Sequence, residues 1–159
     1  MYSFASDEYI TGLVKTHSKS MFRAAYAIVK NRDDAEDAVQ EAFIKLMKKQ
    51  PAFNDDEHAK AWLMRVTINL SKDMLKASSR KNEPVTDDFS YRESKPDSVL
   101  FHVMKLEENY RTVIHLYYYE GYSIKEIASI LKLPLATVGT RLRRGKAKLK
   151  NMLEGDVTI

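Results

Sequence analysis

The stretch YSIKEIASILKLPLATVGTRLRRGKAKLK, Tyr122 to Lys150, constrains the fold more than any other part of this chain. Ser123 and Glu126 stand three apart, so the hydroxyl accepts from the Glu126 amide while the carboxylate reaches back to the Ser123 amide. Such a reciprocal pair is a capping box, and it starts a helix. Ile124, Ile127, Ala128 and Leu131 then share one face at helical spacing. Pro134 cannot continue that helix, yet it suits the first turn of a new one, where its missing N–H costs nothing. The expectation is two short helices joined by a tight turn.

The second of these helices puts Val138, Leu142, Gly145 and Leu149 on one stripe, with Ala136, Thr140 and Arg143 roughly opposite and Thr137, Arg141 and Arg144 flanking. From Lys132 to Lys150 there are seven basic residues and no acidic one. An apolar back with a cationic, threonine-bearing front suits the major groove of duplex DNA, where cations hold phosphates and Arg and Thr reach base edges. A solvated basic helix would explain a charge run alone. The capped first helix, the Pro-marked turn and the small Ala128 favour a DNA-binding helix-turn-helix.

The remaining chain reads as helical too. Five glycines and four prolines in 159 residues leave few tight turns. The net charge of +4 is modest but concentrated, and its location is what matters for an anionic partner. Without cysteine there is no disulfide framework, thiolate metal site or thiol nucleophile. No apolar run approaches membrane-spanning length, and MYSFASDEYI lacks the segments of a signal peptide, so a reducing, cytoplasmic setting is expected.

Ser6 to Asn31 carries a helical stripe, with Ser6 as its cap and a break expected near Thr16 to Ser18. Asn31 to Lys49 is the second informative stretch, with Ala35, Ala38, Val39, Ala42, Phe43 and Leu46 on its buried stripe. Small residues there let a neighbouring helix come close. Acids crowd its start and lysines its end, as the helix dipole favours, which leaves the exposed band of Asp37, Gln40 and Glu41 to be explained. That band suits a basic protein surface.

A loop follows from Pro51, capped into the next helix by Asp55 or Asp56, and that helix runs from about Glu57 to Arg80. Ala59, Trp62, Leu63, Val66, Leu70 and Met74 form its apolar face, while Arg65, Asn69, Lys72, Lys76 and Arg80 keep to one exposed stripe. Such a ladder can track a phosphate backbone and hydrogen-bond a base, and it fits a plain solvated face equally well. Trp62 suits core packing better than base stacking.

From Lys81 the period stops, and KNEPVTDDFSYRESKPDSV, rich in acids, reads as a linker. It suits either a cationic channel or the role of a solubilising tether. Ser98 to Glu120 resumes as helix, with a break expected at Asn109, water expected around Glu107, Glu108 and Arg111, and one or two of Tyr117, Tyr118 and Tyr119 sealing the junction with the helix-turn-helix. Gly121 ends it. His17, His58, His102 and His115 show no metal spacing or triad partner, and there is no Gly-rich phosphate loop, so no enzyme, metal or cofactor is expected.

DAEDAVQEAF (Asp34 to Phe43), AWLMRVTINLSKDMLK (Ala61 to Lys76) and GYSIKEIASILKLPLATVGTRLRRGKAKLK (Gly121 to Lys150), in that order, resemble bacterial sigma factors of the extracytoplasmic-function type, in the sigma-70 family. The resemblance implies an all-α protein of two small helical domains joined by an acidic linker. Residues 1–81 would bind core polymerase and the minus-ten element, 82–97 would link, and 98–159 would carry the helix-turn-helix. It implies core RNA polymerase and promoter DNA, both duplex and melted, as partners, with an anti-sigma factor as a further one and no membrane insertion. Asp34, Asp37, Gln40, Glu41 and Phe43 would lie in the part docking on the polymerase coiled coil. Trp62, Arg65, Asn69, Lys72, Asp73, Lys76 and Arg80 would lie in the part capturing the melted minus-ten strand. Thr137, Thr140, Arg141, Arg143, Arg144 and Lys146 would serve the minus-thirty-five duplex. Departures from the family pattern are Gly139 where Lys is frequent, Ala136 where Gly is common, and Leu133, which cannot cap by its side chain. A stand-alone helix-turn-helix regulator, independent of polymerase, is the alternative these motifs allow.

Overall fold

Three long amphipathic helices, α1 (Asp7–Val29), α2 (Arg32–Lys49) and α3 (Asp56–Arg80), each pack on the other two. The computed structural model describes residues 7–80 and 99–157, with no strand among them. Two compact units divide the chain, Met1–Asp87 and Asp88–Ile159. The linker expected over 82–97 and the cap expected at Ser6 lie outside the described residues.

Close approach in the first unit comes from the alanines. Ala35, Ala38 and Ala42 on α2 are fully buried, and a core of Leu13, Met21, Phe43, Leu46, Phe53, Ala59 and Leu63 closes over them. Helix α1 does not break at Thr16 to Ser18. No glycine or proline interrupts it there, and His17 turns inward and is buried, so the helix continues. Lys30 in the left-handed conformation (φ 61°) ends α1, and Asn31 caps α2. The Asp55 carboxylate accepts the His58 amide at 2.8 Å and so caps α3. Helix α3 buries a face shifted from the expected one: Met64, Thr67, Ile68 and Ser71 join Ala59 and Leu63 inside, while Trp62, Val66, Leu70 and Met74 are half-buried, because the helix faces both α1 and α2. The two hydroxyls donate within their own helix, Thr67 to the Leu63 carbonyl at 2.7 Å and Ser71 to that of Thr67 at 2.8 Å, so they stay hydrogen-bonded without water.

The second unit contains α4 (Val99–Val103), α5 (Glu108–Ile114), a π-helical turn (His115–Tyr119), α6 (Ile124–Leu131) and α7 (Leu135–Val157). The expected break at Asn109 falls earlier, between Val103 and Glu108. Arg111, expected in water, is buried, and its guanidinium donates to the Leu106 carbonyl left open by that break. Tyr117, Tyr118 and Tyr119 are all exposed, at 36%, 51% and 42%, and among the described residues the buried tyrosine is Tyr122. Gly121 at φ +76° turns the chain out of the π-helical segment. Helix α7 crosses α5 at Gly145, where a Cβ would lie 3.2 Å from Ile114 Cγ1 and 3.3 Å from Tyr110 Cβ, so a larger residue has to push them apart.

Candidate functional site

The acidic face of α2 begins at its cap. Asn31 Oδ1 accepts the Asp34 amide at 2.8 Å and Asn31 Nδ2 donates to Asp34 Oδ2 at 2.9 Å, so the Asp34 carboxylate is committed to the helix start and half-buried. Asp37, Gln40 and Glu41 are exposed on the outer face. Ile44 and Met47, 37% and 49% exposed, continue the same face and give the acidic band an apolar end. Sequence reasoning passed over these two, although extending the Asp37–Glu41 spacing by further steps of three lands on them. Phe43 stands apart from the band. It points into the core and supports the helix from behind.

On α3, at about 100° per residue, Trp62, Arg65, Asn69, Lys72, Asp73, Lys76 and Arg80 fall within an arc of roughly 100°, opposite the buried face. Trp62 is half-buried, its ring edge-on to Phe53 with centroids 5.9 Å apart. Arg65 and Lys72 are half-buried, and Asn69, Asp73 and Lys76 are exposed. The side chain of Arg80 lies outside the described residues. The arrangement is a firmly seated ring at one end of a polar, mainly cationic track, with Asp73 as its one carboxylate. Such a face can hold phosphates along its length and meet an unstacked base beside the ring.

The helix-turn-helix forms as its residues require. Ser123 Oγ accepts the Glu126 amide at 3.1 Å and Glu126 Oε1 accepts the Ser123 amide at 3.0 Å, completing the capping box. Lys132 adopts the left-handed conformation (φ 54°), and the Leu133 amide donates back to the Ala128 carbonyl at 3.0 Å. That pattern ends α6 without a glycine. The Pro134 carbonyl then accepts from Thr137 at 3.0 Å and Val138 at 3.2 Å, which starts α7. Ile127, Ile130, Val138, Leu142 and Gly145 are buried. Of these, sequence reasoning missed Ile130, three residues after Ile127 on the same face.

The cations of α7 separate into two groups. Thr137, Thr140 and Arg141 are half-exposed, and Arg143 and Arg144 are exposed, all away from the buried stripe. Lys146, placed with them from sequence, is exposed about 60° round the helix from Arg143. Its ammonium is 6.0 Å from the Tyr118 ring centroid, at an apolar groove of about 350 Å³ lined by Val99, Val103, Ile114, Tyr118 and Leu149 among others. Lys148 pairs with Glu107 at 3.2 Å and lies 5.3 Å over the Tyr110 ring. The exposed cationic front therefore comprises Arg143, Arg144 and Lys146, with the half-exposed Arg141 beside Arg144. Among the described residues no cluster of His, Asp or Glu is arranged to hold a metal ion, and no helix is long and apolar enough to cross a membrane.

Comparison with known proteins supplies independent findings. Residues 13–81 match the family model for sigma-70 region 2, and residues 103–149 match that for sigma-70 region 4. The chain is 30% identical to the ECF RNA polymerase sigma factor SigW of Bacillus subtilis (strain 168), over 89% of this chain and 87% of that protein. Among solved structures it is similar to CnrH in complex with the cytosolic domain of CnrY, with a TM-score of 0.71 at 26% identity, covering 95% of this chain and 91% of that one. It also shares the fold of the sigma factor RpoE, solved with the anti-sigma factor NepR from Bartonella quintana, with a TM-score of 0.72 at 20% identity over 94% and 98% of the two chains.

Proposed function

The chain belongs to the extracytoplasmic-function RNA polymerase sigma factors of the sigma-70 family, and from that premise we propose how its surfaces divide the work of bringing core polymerase to a promoter. Residues 1–81 hold core polymerase and the melted minus-ten strand, 82–97 connect, and 98–159 read the minus-thirty-five duplex. Asp37, Gln40 and Glu41, with Ile44 and Met47, form the docking band for a basic coiled coil, while Asp34 and Phe43 hold α2 in shape behind it. The face of α3 from Trp62 to Lys76 receives the single strand. Thr137, Thr140, Arg141, Arg143 and Arg144 enter the major groove, with Lys146 beside them. Sigma factors are not enzymes, and we assign this chain no catalytic role and a cytoplasmic place of work. A protein of the anti-sigma class completes the set of partners, on the support of CnrH, solved with a bound protein domain.

The observation that carries this reading is the pairing of an acidic, apolar-ended face on α2 with a cationic face on α3 in a single three-helix body. One suits a protein and the other a nucleic acid. The test is a pull-down with core polymerase joined to transcription in vitro. Asp37→Arg with Glu41→Arg is expected to abolish both polymerase association and promoter-dependent transcripts. Retained association would remove α2 from the interface. Arg141→Ala with Arg144→Ala is expected to lower the slope of log affinity against log salt by about 2, since each phosphate contact contributes about 0.9. An unchanged slope would take α7 off the phosphates.

A further inference from the structure

We propose that Leu135 is a specificity-determining residue of the upstream duplex contact, reading the 5-methyl group of a thymine. The proposal rests on the assignment of α7 to duplex DNA made above. Leu135 is the first residue of α7 and is 57% exposed, more than any other large hydrophobic side chain among the described residues. Its placement is fixed, because the Pro134 carbonyl accepts the Thr137 and Val138 amides and so holds the first turn. The N-terminal turn of a recognition helix is the part that meets base edges.

The neighbours of Leu135 sharpen the argument. At about 100° per residue, Leu135, Gly139 and Ala136 occupy an arc of roughly 100°, away from Arg141 and Arg144, and the cations Arg143 and Lys146 enter that arc only further along the helix. None of the three has a side chain able to hydrogen-bond. Gly139 is not demanded from within, since a Cβ there would meet nothing within 4 Å and its backbone is not left-handed. Its smoothness therefore faces outward. The start of that arc, with no side-chain donor or acceptor before Arg143, would strip water from polar base edges and return nothing, which is unfavourable. The apolar group that the major groove offers is the thymine methyl. The start of helix α7 thus presents an apolar patch for a methyl, ahead of the cations that serve phosphates and polar base atoms.

Holoenzyme assembled from the full chain and core polymerase tests this on two synthetic promoter pools, both randomised over the two promoter elements. In the second pool, deoxyuridine replaces thymidine throughout the upstream element, which removes the methyl and leaves every hydrogen bond. The wild-type chain is expected to prefer thymine at one upstream base pair by about four-fold, the equivalent of about 0.8 kcal/mol for one buried methyl-sized group. That preference is expected to vanish in the uracil pool. Leu135→Ala, at an exposed position where alanine favours helix, is expected to lose it with the ordinary pool while keeping preferences elsewhere. The proposal is overturned if Leu135→Ala retains every preference, or if the pair it alters is not thymine or ignores the methyl. Should the wild-type holoenzyme enrich no upstream sequence in either pool, the assignment of α7 fails, and this proposal with it.

Discussion

Among the described residues of Met1–Asp87, the buried polar side chains are His17, Thr67 and Ser71, and both hydroxyls bond back to their own helix. In Asp88–Ile159 they are His102, Arg111, Thr112 and His115, and Arg111 reaches a carbonyl five residues away across a break between helices. The first unit gains its shape from small residues that let three long helices close on one another. The second, built of shorter pieces, holds its changes of direction with side chains bonded to backbone. The difference teaches where each unit is vulnerable: the first to lost volume, the second to lost partners.

Leu63→Ala is the strongest test of the first half of that contrast. Leu63 is fully buried at the centre of the three-helix core, and its truncation is expected to cost about 2–5 kcal/mol in urea unfolding. A loss under 1 kcal/mol, read against the same scale, would mean that this core is not tightly packed. Arg111→Met probes the other half. It keeps most of the volume but leaves the Leu106 carbonyl buried without its donor, for an expected loss of about 1–3 kcal/mol. An unchanged midpoint would end the account of the second unit as held by polar fasteners.

His17 blurs the contrast in a measurable way. Burial first, then the positive charge of Lys60, lowers its pKa below the ordinary 6.5, partly offset by Asp56 and Glu57. Below that pH the unfolded chain takes up a proton that the folded one resists. Stability is therefore expected to be flat in this respect above 6.5 and to fall as the pH drops beneath it. His17→Gln is expected to remove that part of the pH dependence, and unfolding curves from pH 7 downward would show whether it does.

The smallest effect compares two glycines of one helix. Gly139→Ala fills open space and is expected to stabilise α7 by up to about 1 kcal/mol. Gly145→Ala makes the same gain in helix propensity but sets a Cβ 3.2 Å from Ile114, so its net gain is expected to be smaller. Equal thermal shifts for the two would show that the crossing with α5 yields freely.

Much of this was legible in the chain itself. The capping box at Ser123, the alanine stripe of α2 and the apolar back of α7 each depend on residues within one or two turns, and local spacing is what a sequence displays directly. The family membership was legible from the order of three motifs. What stayed hidden depends on distance. Arg111 looked like a surface cation because the carbonyl it serves becomes open only once α4 ends. Lys148 belonged by charge to the cationic run of α7, but Glu107, forty-one positions earlier, claims it. The burial of Thr67 and Ser71 follows from α3 having neighbours on two sides, which a single apolar stripe does not announce. Ile44 and Met47 escaped notice because an apolar residue on an outer face carries no charge pattern to draw the eye.

The π-helical turn at His115–Tyr119 is closed by the Glu120 amide donating to the His115 carbonyl at 3.1 Å, one residue wider than an α-turn. It works as an extra tooth on a gear, since one additional residue rephases whatever follows by about 100°. Pulling that tooth, by deleting a single tyrosine, would carry the chain on into α6 at a different azimuth. The direction in which α6 leaves the preceding helix is thus set partly by a counting irregularity just upstream of it.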